Sequence, residues 1–184
     1  MSKIEIREGC LLDAFDKGEV NHIAHVVNCQ GVMGSGIAKS IRLRYPKVFQ
    51  EYKDYIVGQC HIGDRPKPKL LGDTTNTRVD GGKEGGNGYL DYKIVHNIFA
   101  QYNFGTDKRQ LNYGAFSKGI LDVYSDFWFV NNMRSGDGLA PLKLGLPFKI
   151  GSDRAGGDWE IVLELIEFAA DHFDETQNTI IYKL

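Results

Sequence analysis

Two short runs of glycine, each just ahead of a helical pattern, are the residues best placed to do chemistry. Gly31, Gly34 and Gly36 follow the β-branched stretch His22-Ile-Ala-His-Val-Val27 and Asn28, and Gly151, Gly156 and Gly157 follow Leu144-Gly-Leu-Pro-Phe-Lys-Ile150. A strand, a glycine loop and a helix start leave backbone N–H groups unpaired and pointing one way, which suits an anion. The first run matches neither known phosphate fingerprint. Lys39-Ser40 trails Gly36 by two residues where a P-loop has Gly-Lys-Ser/Thr in contact, and Lys39 stands where the dinucleotide motif has its third glycine. On spacing alone, a tight turn with no ligand is an equal reading. Converging loops would instead hold one phosphorylated ligand.

Three polar residues flank these runs. His25, with an ordinary pKa of about 6.5, is the best titrating candidate, and a packed strand histidine is its other reading. Asn28 ends the strand, and Asp158 either positions a water or caps the helix that opens at Trp159. Covalent phosphatase chemistry is excluded at the cysteines. The sixth residue after Cys10, Cys29 and Cys60 is Asp16, Ser35 and Pro66, never the arginine of a Cys-x5-Arg site. A metal site is not expected, because His22 and His25 point to opposite faces of a strand and no carboxylate cluster accompanies them.

The elements that must position these groups alternate between strand and helix. Residues 3–6, 22–27, 93–100, 144–150 and 178–183 read as strands. Helices are expected from Gly36 to Pro46 (Ile37, Ile41, Tyr45) and from about Tyr113 (Phe116, Ile120, Val123, Phe127). A third is expected from Trp159, with Val162, Leu165, Ile166, Ala169 and Phe173 inward and Glu160, Glu164, Glu167 and Asp171 outward. This alternation predicts a layered α/β domain. Residues 64–91 carry neither period and hold Gly81, Gly82, Gly85, Gly86 and Gly88; they read as a long surface insertion, with Arg65, Lys67 and Lys69 as solvated charge.

Composition bounds the rest. At 184 residues and a net charge of −2, the chain fits one globular domain and not a surface that tracks nucleic acid throughout. Glycine is in excess, 22 residues, against a usual share of about 7%. Three scattered cysteines predict no disulfide framework and a reducing, cytoplasmic setting. The charged first residues lack the apolar stretch of a signal peptide, and no apolar run approaches a membrane span. A monomer needing no cofactor is expected.

At residues 27–41, Val-Asn-Cys-Gln-Gly-Val-Met-Gly-Ser-Gly-Ile-Ala-Lys-Ser-Ile, the sequence resembles a macrodomain. The resemblance extends over nearly the whole chain, through Glu8-Gly9-Cys10-Leu11-Leu12, Asn97 to Gln101, the second glycine loop and the closing Ile-Ile-Tyr-Lys-Leu. It is nearest to the branch holding ADP-ribose 1''-phosphate phosphatases and TARG-like and antitoxin-type ADP-ribosyl hydrolases. It implies a three-layer α/β/α sandwich around a mixed sheet, with an ADP-ribose cleft. Loop one (Gly31, Met33, Gly34, Ser35, Gly36, Ile37, Ala38) would hold the distal ribose. Loop two (Ile150, Gly151, Ser152, Asp153, Arg154, Ala155, Gly156, Gly157) would wrap the diphosphate. Many macrodomains read the adenine amino group with an aspartate where Cys10 stands here, so adenine would rest near Gly9, Leu11 and Tyr182. Loop two also departs from its relatives in reading Gly151-Ser-Asp-Arg, which leaves Asp153 and Arg154 as ligand contacts or turn residues.

The resemblance implies hydrolysis of ADP-ribose 1''-phosphate to ADP-ribose and phosphate, with His25 at the position of a histidine associated with catalysis and Asn28 orienting the ribose or a phosphate oxygen. Removal of ADP-ribose from protein or nucleic acid is the second reading. Its lysine route is disfavoured because Gln101 stands at the lysine position and an amide cannot form the sugar adduct. A non-catalytic ADP-ribose reader is the third.

Overall fold

The computed structural model describes residues 4–59, 68–79 and 92–184. Eleven elements follow in chain order: β1 (Glu5–Glu8), α1 (Leu11–Lys17), β2 (His22–Asn28), α2 (Gly36–Arg44), α3 (Pro46–Gln59), β3 (Thr74–Arg78), β4 (Ile94–Gln101), α4 (Tyr113–Gly136), β5 (Leu144–Pro147), α5 (Trp159–His172) and β6 (Thr179–Lys183). The strands form one sheet in the order β1-β6-β5-β2-β4-β3. Every neighbouring pair is parallel except β3 with β4, so the sheet is mixed, with its antiparallel member at an edge.

Alternation along the strands sends side chains into two separate cores. Ile23 and Val27 of β2 and Val95 and Phe99 of β4 meet Phe15, Ile41, Val48 and Tyr52 of α1, α2 and α3. Ala24, Ile98 and Ala100 go to the other face, against Phe116, Ile120, Phe127, Val162 and Ile166 of α4 and α5. This is the three-layer α/β/α sandwich with a mixed sheet expected from the sequence. It follows from right-handed crossovers, since a chain that reverses its direction of travel across a parallel sheet must change faces. No described helix is long and apolar enough to cross a membrane.

Three boundaries differ from expectation. The helix expected up to Pro46 is α2, ending at Arg44, but Pro46 then opens α3, a helix absent from the expectation, at a first position where its missing N–H costs nothing. The strand expected over 144–150 ends at Pro147, and Lys149 at φ 57° turns the chain away. The expected insertion at 64–91 contains a sheet element: β3 pairs with β4 from Thr74↔Ile98 to Arg78↔Ile94, and Leu70 is fully buried. Thr74-Thr-Asn-Thr-Arg78 carries no apolar alternation because an edge strand buries little; its β-branched threonines were the available signal. Residues 64–67 and 80–91 of that segment, including its glycine run, lie outside the described residues.

Candidate functional site

The parallel strands all end on the same side, and the loops leaving β1, β2, β4 and β5, together with the end of β6, surround a cleft of about 860 Å3. Open α/β sheets bind ligands at this edge, outside the carboxyl ends of strands where the order reverses. The volume is that of a site for a medium-sized organic ligand.

Loop one is held from within by Asn28. Its Oδ1 accepts from the N–H of Gln30 (2.9 Å) and Val32 (3.2 Å), while its Nδ2 donates to the Val32 carbonyl (2.6 Å). The Tyr52 hydroxyl, buried on α3, donates to the Asn28 carbonyl (2.5 Å). The loop so folded delivers the chain to Gly36, which opens α2 at φ 54°. Ser35 is the N-cap, but its side chain makes no capping bond. The first-turn N–H groups of Gly36, Ile37 and Ala38, which have no partner within a helix, lie on the cleft wall.

Loop two comes from the opposite side. Lys149 and Gly151 both have positive φ, and the Lys149 carbonyl accepts from the N–H of Ser152 (2.8 Å) and Asp153 (3.2 Å). The Ala155 carbonyl accepts from the N–H of Gln110 (2.8 Å) and Leu111 (3.1 Å), which ties the loop to the segment leaving β4. A side chain at Gly36 would meet the Arg154 side chain, so the two loops stand face to face.

Of the residues expected at the site, Cys10, Leu11, Asn28, Gly34, Ser35, Gly36, Ile37, Ala38, Gln101, Ile150, Gly151, Asp153, Arg154, Ala155 and Tyr182 line this cleft. Eight do not. Met33 is buried beneath loop one, the Ser152 hydroxyl is buried without a partner, and Gly9 and Gly31, both at positive φ, are not among the residues lining the cleft. Gly156 and Gly157 pack against Arg109 and Leu111. Asp158 caps α5: its Oδ1 accepts from the Glu160 N–H (2.9 Å), and its own N–H donates to the Tyr113 hydroxyl (2.8 Å).

His25 is the main correction. It is fully buried three residues upstream of Asn28, which on a strand is about 10 Å back from the carboxyl edge. Its Nε2 bonds the Oδ1 of Asn97, its register partner on β4 (2.7 Å), and Asn97 donates to the Thr75 hydroxyl (3.1 Å). Its Nδ1 has no partner, and burial pushes its pKa down to about 4. A neutral imidazole so placed touches nothing in the cleft. His22 and His96 form a second buried pair (3.0 Å) on the α4 face, so the two β2 histidines do point oppositely. Among the described residues, no group of three His, Cys, Asp or Glu could hold a metal.

Sequence reasoning missed the third wall. Phe104, Gly105 and Thr106, in the segment after β4, line the cleft, as do Phe148 and Lys149. Phe104 is 57% exposed; an aromatic among Asn, Gly and Thr in a loop was the signal to find it. The cleft changes character along its length. Cys10, Leu11, Phe148 and Tyr182 make an apolar, aromatic end near β1 and β6, with the Tyr182 hydroxyl held by Arg7 (3.3 Å). Loop two, with two cations, Lys149 and Arg154, occupies the middle, and the first turn of α2, Gln101 and Thr106 the far end. From β1 to β4 are four strand spacings, about 19 Å.

No protein-family profile and no curated protein matches the sequence. Solved structures do match it. The macrodomain of Mycobacterium tuberculosis DarG shares 21% identity over 100% of this chain and 99% of that one, with a TM-score of 0.66. A macrodomain protein from Streptomyces coelicolor shares 22% identity over 98% and 99%, with a TM-score of 0.62. Thermosipho africanus DarTG in complex with ADP-ribose shares 14% identity over 97% of this chain and 41% of that one, with a TM-score of 0.65. The chain has the macrodomain fold.

Proposed function

We propose that the cleft binds ADP-ribose, and that release of phosphate from ADP-ribose 1''-phosphate is the reaction performed there. The observation that carries the reading is the sequence of chemistries along the cleft. An apolar aromatic end suits a purine ring, a middle formed by loop two with its two cations suits a diphosphate, and an end lined by Gln101 and Thr106 suits a ribose. ADP-ribose presents these three parts in this order over a comparable length. The ADP-ribose complex of a protein with the same fold, Thermosipho africanus DarTG, adds support.

The reaction would use water. A phosphate on the distal ribose would lie against the first turn of α2, where the helix N-terminus stabilises charge that grows in the transition state. Asp153 is the one side-chain carboxylate among the described residues of the cleft wall and the available base for a water. His25 takes no direct part, Asn28 holds loop one together, and Asp158 holds the start of α5.

A non-catalytic reader is the second reading, favoured by a specific observation: the polar groups of Asn28 and Asp158 are spent on backbone partners. One pair of measurements separates the two. Calorimetric titration with ADP-ribose should show micromolar binding, and incubation with ADP-ribose 1''-phosphate should release inorganic phosphate at a rate that falls in Asp153→Asn. Binding without phosphate release establishes the reader; no binding of either compound overturns both. Loss of ADP-ribose from a modified protein or nucleic acid would move the reaction to the glycosidic bond, for which Gln101 offers no nucleophile.

A further inference from the structure

The outer face of α5 carries two different strips side by side. Ile161, Phe168 and His172 recur at spacings of seven and four, which on a helix is one narrow line, with the half-buried Leu165 between them leaning onto the core. Phe168 is 60% and Ile161 42% exposed. Glu160, Glu164, Glu167 and Asp171 form a second line next to the first, and no lysine or arginine occurs from residue 155 to residue 182. The apolar line continues across to α4 through ring contacts: Phe168 stacks on His172 (6.2 Å), His172 meets Phe173 edge-on (4.8 Å), and Phe173 meets Trp128 (6.2 Å). Trp128 and its neighbour Phe129 are exposed in turn. Scattered surface apolar residues need no explanation, but a continuous aromatic line on two helices does.

We propose that this ridge is a docking surface for a basic amphipathic helix of another protein. Ile161 to His172 spans about 16 Å, three helical turns, and a partner helix with apolar residues at matching spacing would cover it. The carboxylate strip then requires lysine or arginine beside the partner's apolar seam. A second copy of this chain is disfavoured as occupant, since ridge-to-ridge pairing would bring the two acidic strips together. The ridge lies on the outside of the helix layer, and none of its residues lines the cleft, so a docked partner leaves the cleft open.

The test uses the full chain and two synthetic peptides of about 18 residues, long enough to cover the ridge. One carries leucine at alternating spacings of three and four with lysine elsewhere; its twin has glutamate for lysine. Anisotropy of the labelled lysine peptide should report one-to-one binding that weakens about tenfold in Phe168→Ser, the loss expected of an anchor side chain. A comparable loss is expected in the Glu164→Lys/Glu167→Lys double variant, whose sites lie on the surface and leave the fold intact. The glutamate twin should not bind, and both variants should keep wild-type ADP-ribose affinity. The proposal falls if the lysine peptide does not bind, if the two peptides bind alike, or if Phe168→Ser leaves binding unchanged. It falls equally if the chain sediments as a dimer that Phe168→Ser dissociates, because a second copy then covers the ridge.

Discussion

Asn28 and His25 stand three residues apart and have opposite fates. Asn28 reaches the carboxyl edge of β2, where both ends of its amide are used to fold loop one. Asn28→Ala should strand the N–H groups of Gln30 and Val32 and cost on the order of 2 kcal/mol in denaturant unfolding. ADP-ribose affinity should fall with it as the start of α2 loses its anchor. His25→Gln keeps a donor for Asn97, so it should leave both binding and phosphate release within about threefold of wild type. A hundredfold loss of phosphate release would return His25 to the mechanism. Spacing marked the two glycine loops, and the family resemblance added Cys10, Leu11, Gln101 and Tyr182; fifteen of the expected residues line the cleft. Depth was not legible. Strand periodicity says which face a side chain takes, while the covering of His25 depends on where α1, α2 and α3 pack, which only long-range contacts decide.

At the level of elements, both glycine loops and the helices they start were readable, because positive φ and a helix start leave a local signature. Gly36 combines a φ of 54° with the Arg154 side chain opposite, so Gly36→Val should cost about 1–2 kcal/mol of strain and abolish ADP-ribose binding. Retained affinity would mean that the first turn of α2 is not part of the ligand site. Asp158→Ala removes the cap of α5 and should cost about 1 kcal/mol of stability, with phosphate release unchanged if capping is its whole role. The elements that escaped sequence reading did so for physical reasons. Pro46 begins a helix as readily as it ends one, and β3, at the sheet edge, has only one neighbouring strand to fit and little apolar surface to bury.

The whole molecule holds its buried histidines as neutral rings. Burial keeps His25 and His96 each at about 4, below the ordinary 6.5, and lowers His22 as well, with the neighbouring His96 adding to the effect. A native state that refuses protons which the unfolded chain accepts loses stability as the pH falls. Each of the two contributes on the order of 3 kcal/mol at about 1.4 kcal/mol per pH unit, fully present above about pH 6.5 and lost progressively toward pH 4. Melting temperatures measured from pH 7 to pH 4 should therefore drop steeply, and His25→Gln should flatten part of that slope. A pH-independent melting temperature across this window would show that the rings are already solvated in the native state.

The Ala155 carbonyl, shared between the N–H groups of Gln110 and Leu111, has a mechanical consequence. It welds the rim that follows β5 to the rim that follows β4, so these two rims cannot hinge independently. A ligand entering there would find its seat already built and would surrender little chain freedom on arrival. The signature is kinetic: the Gln110 and Leu111 amides should exchange with deuterium slowly in the free protein and at nearly the same rate once ADP-ribose is bound.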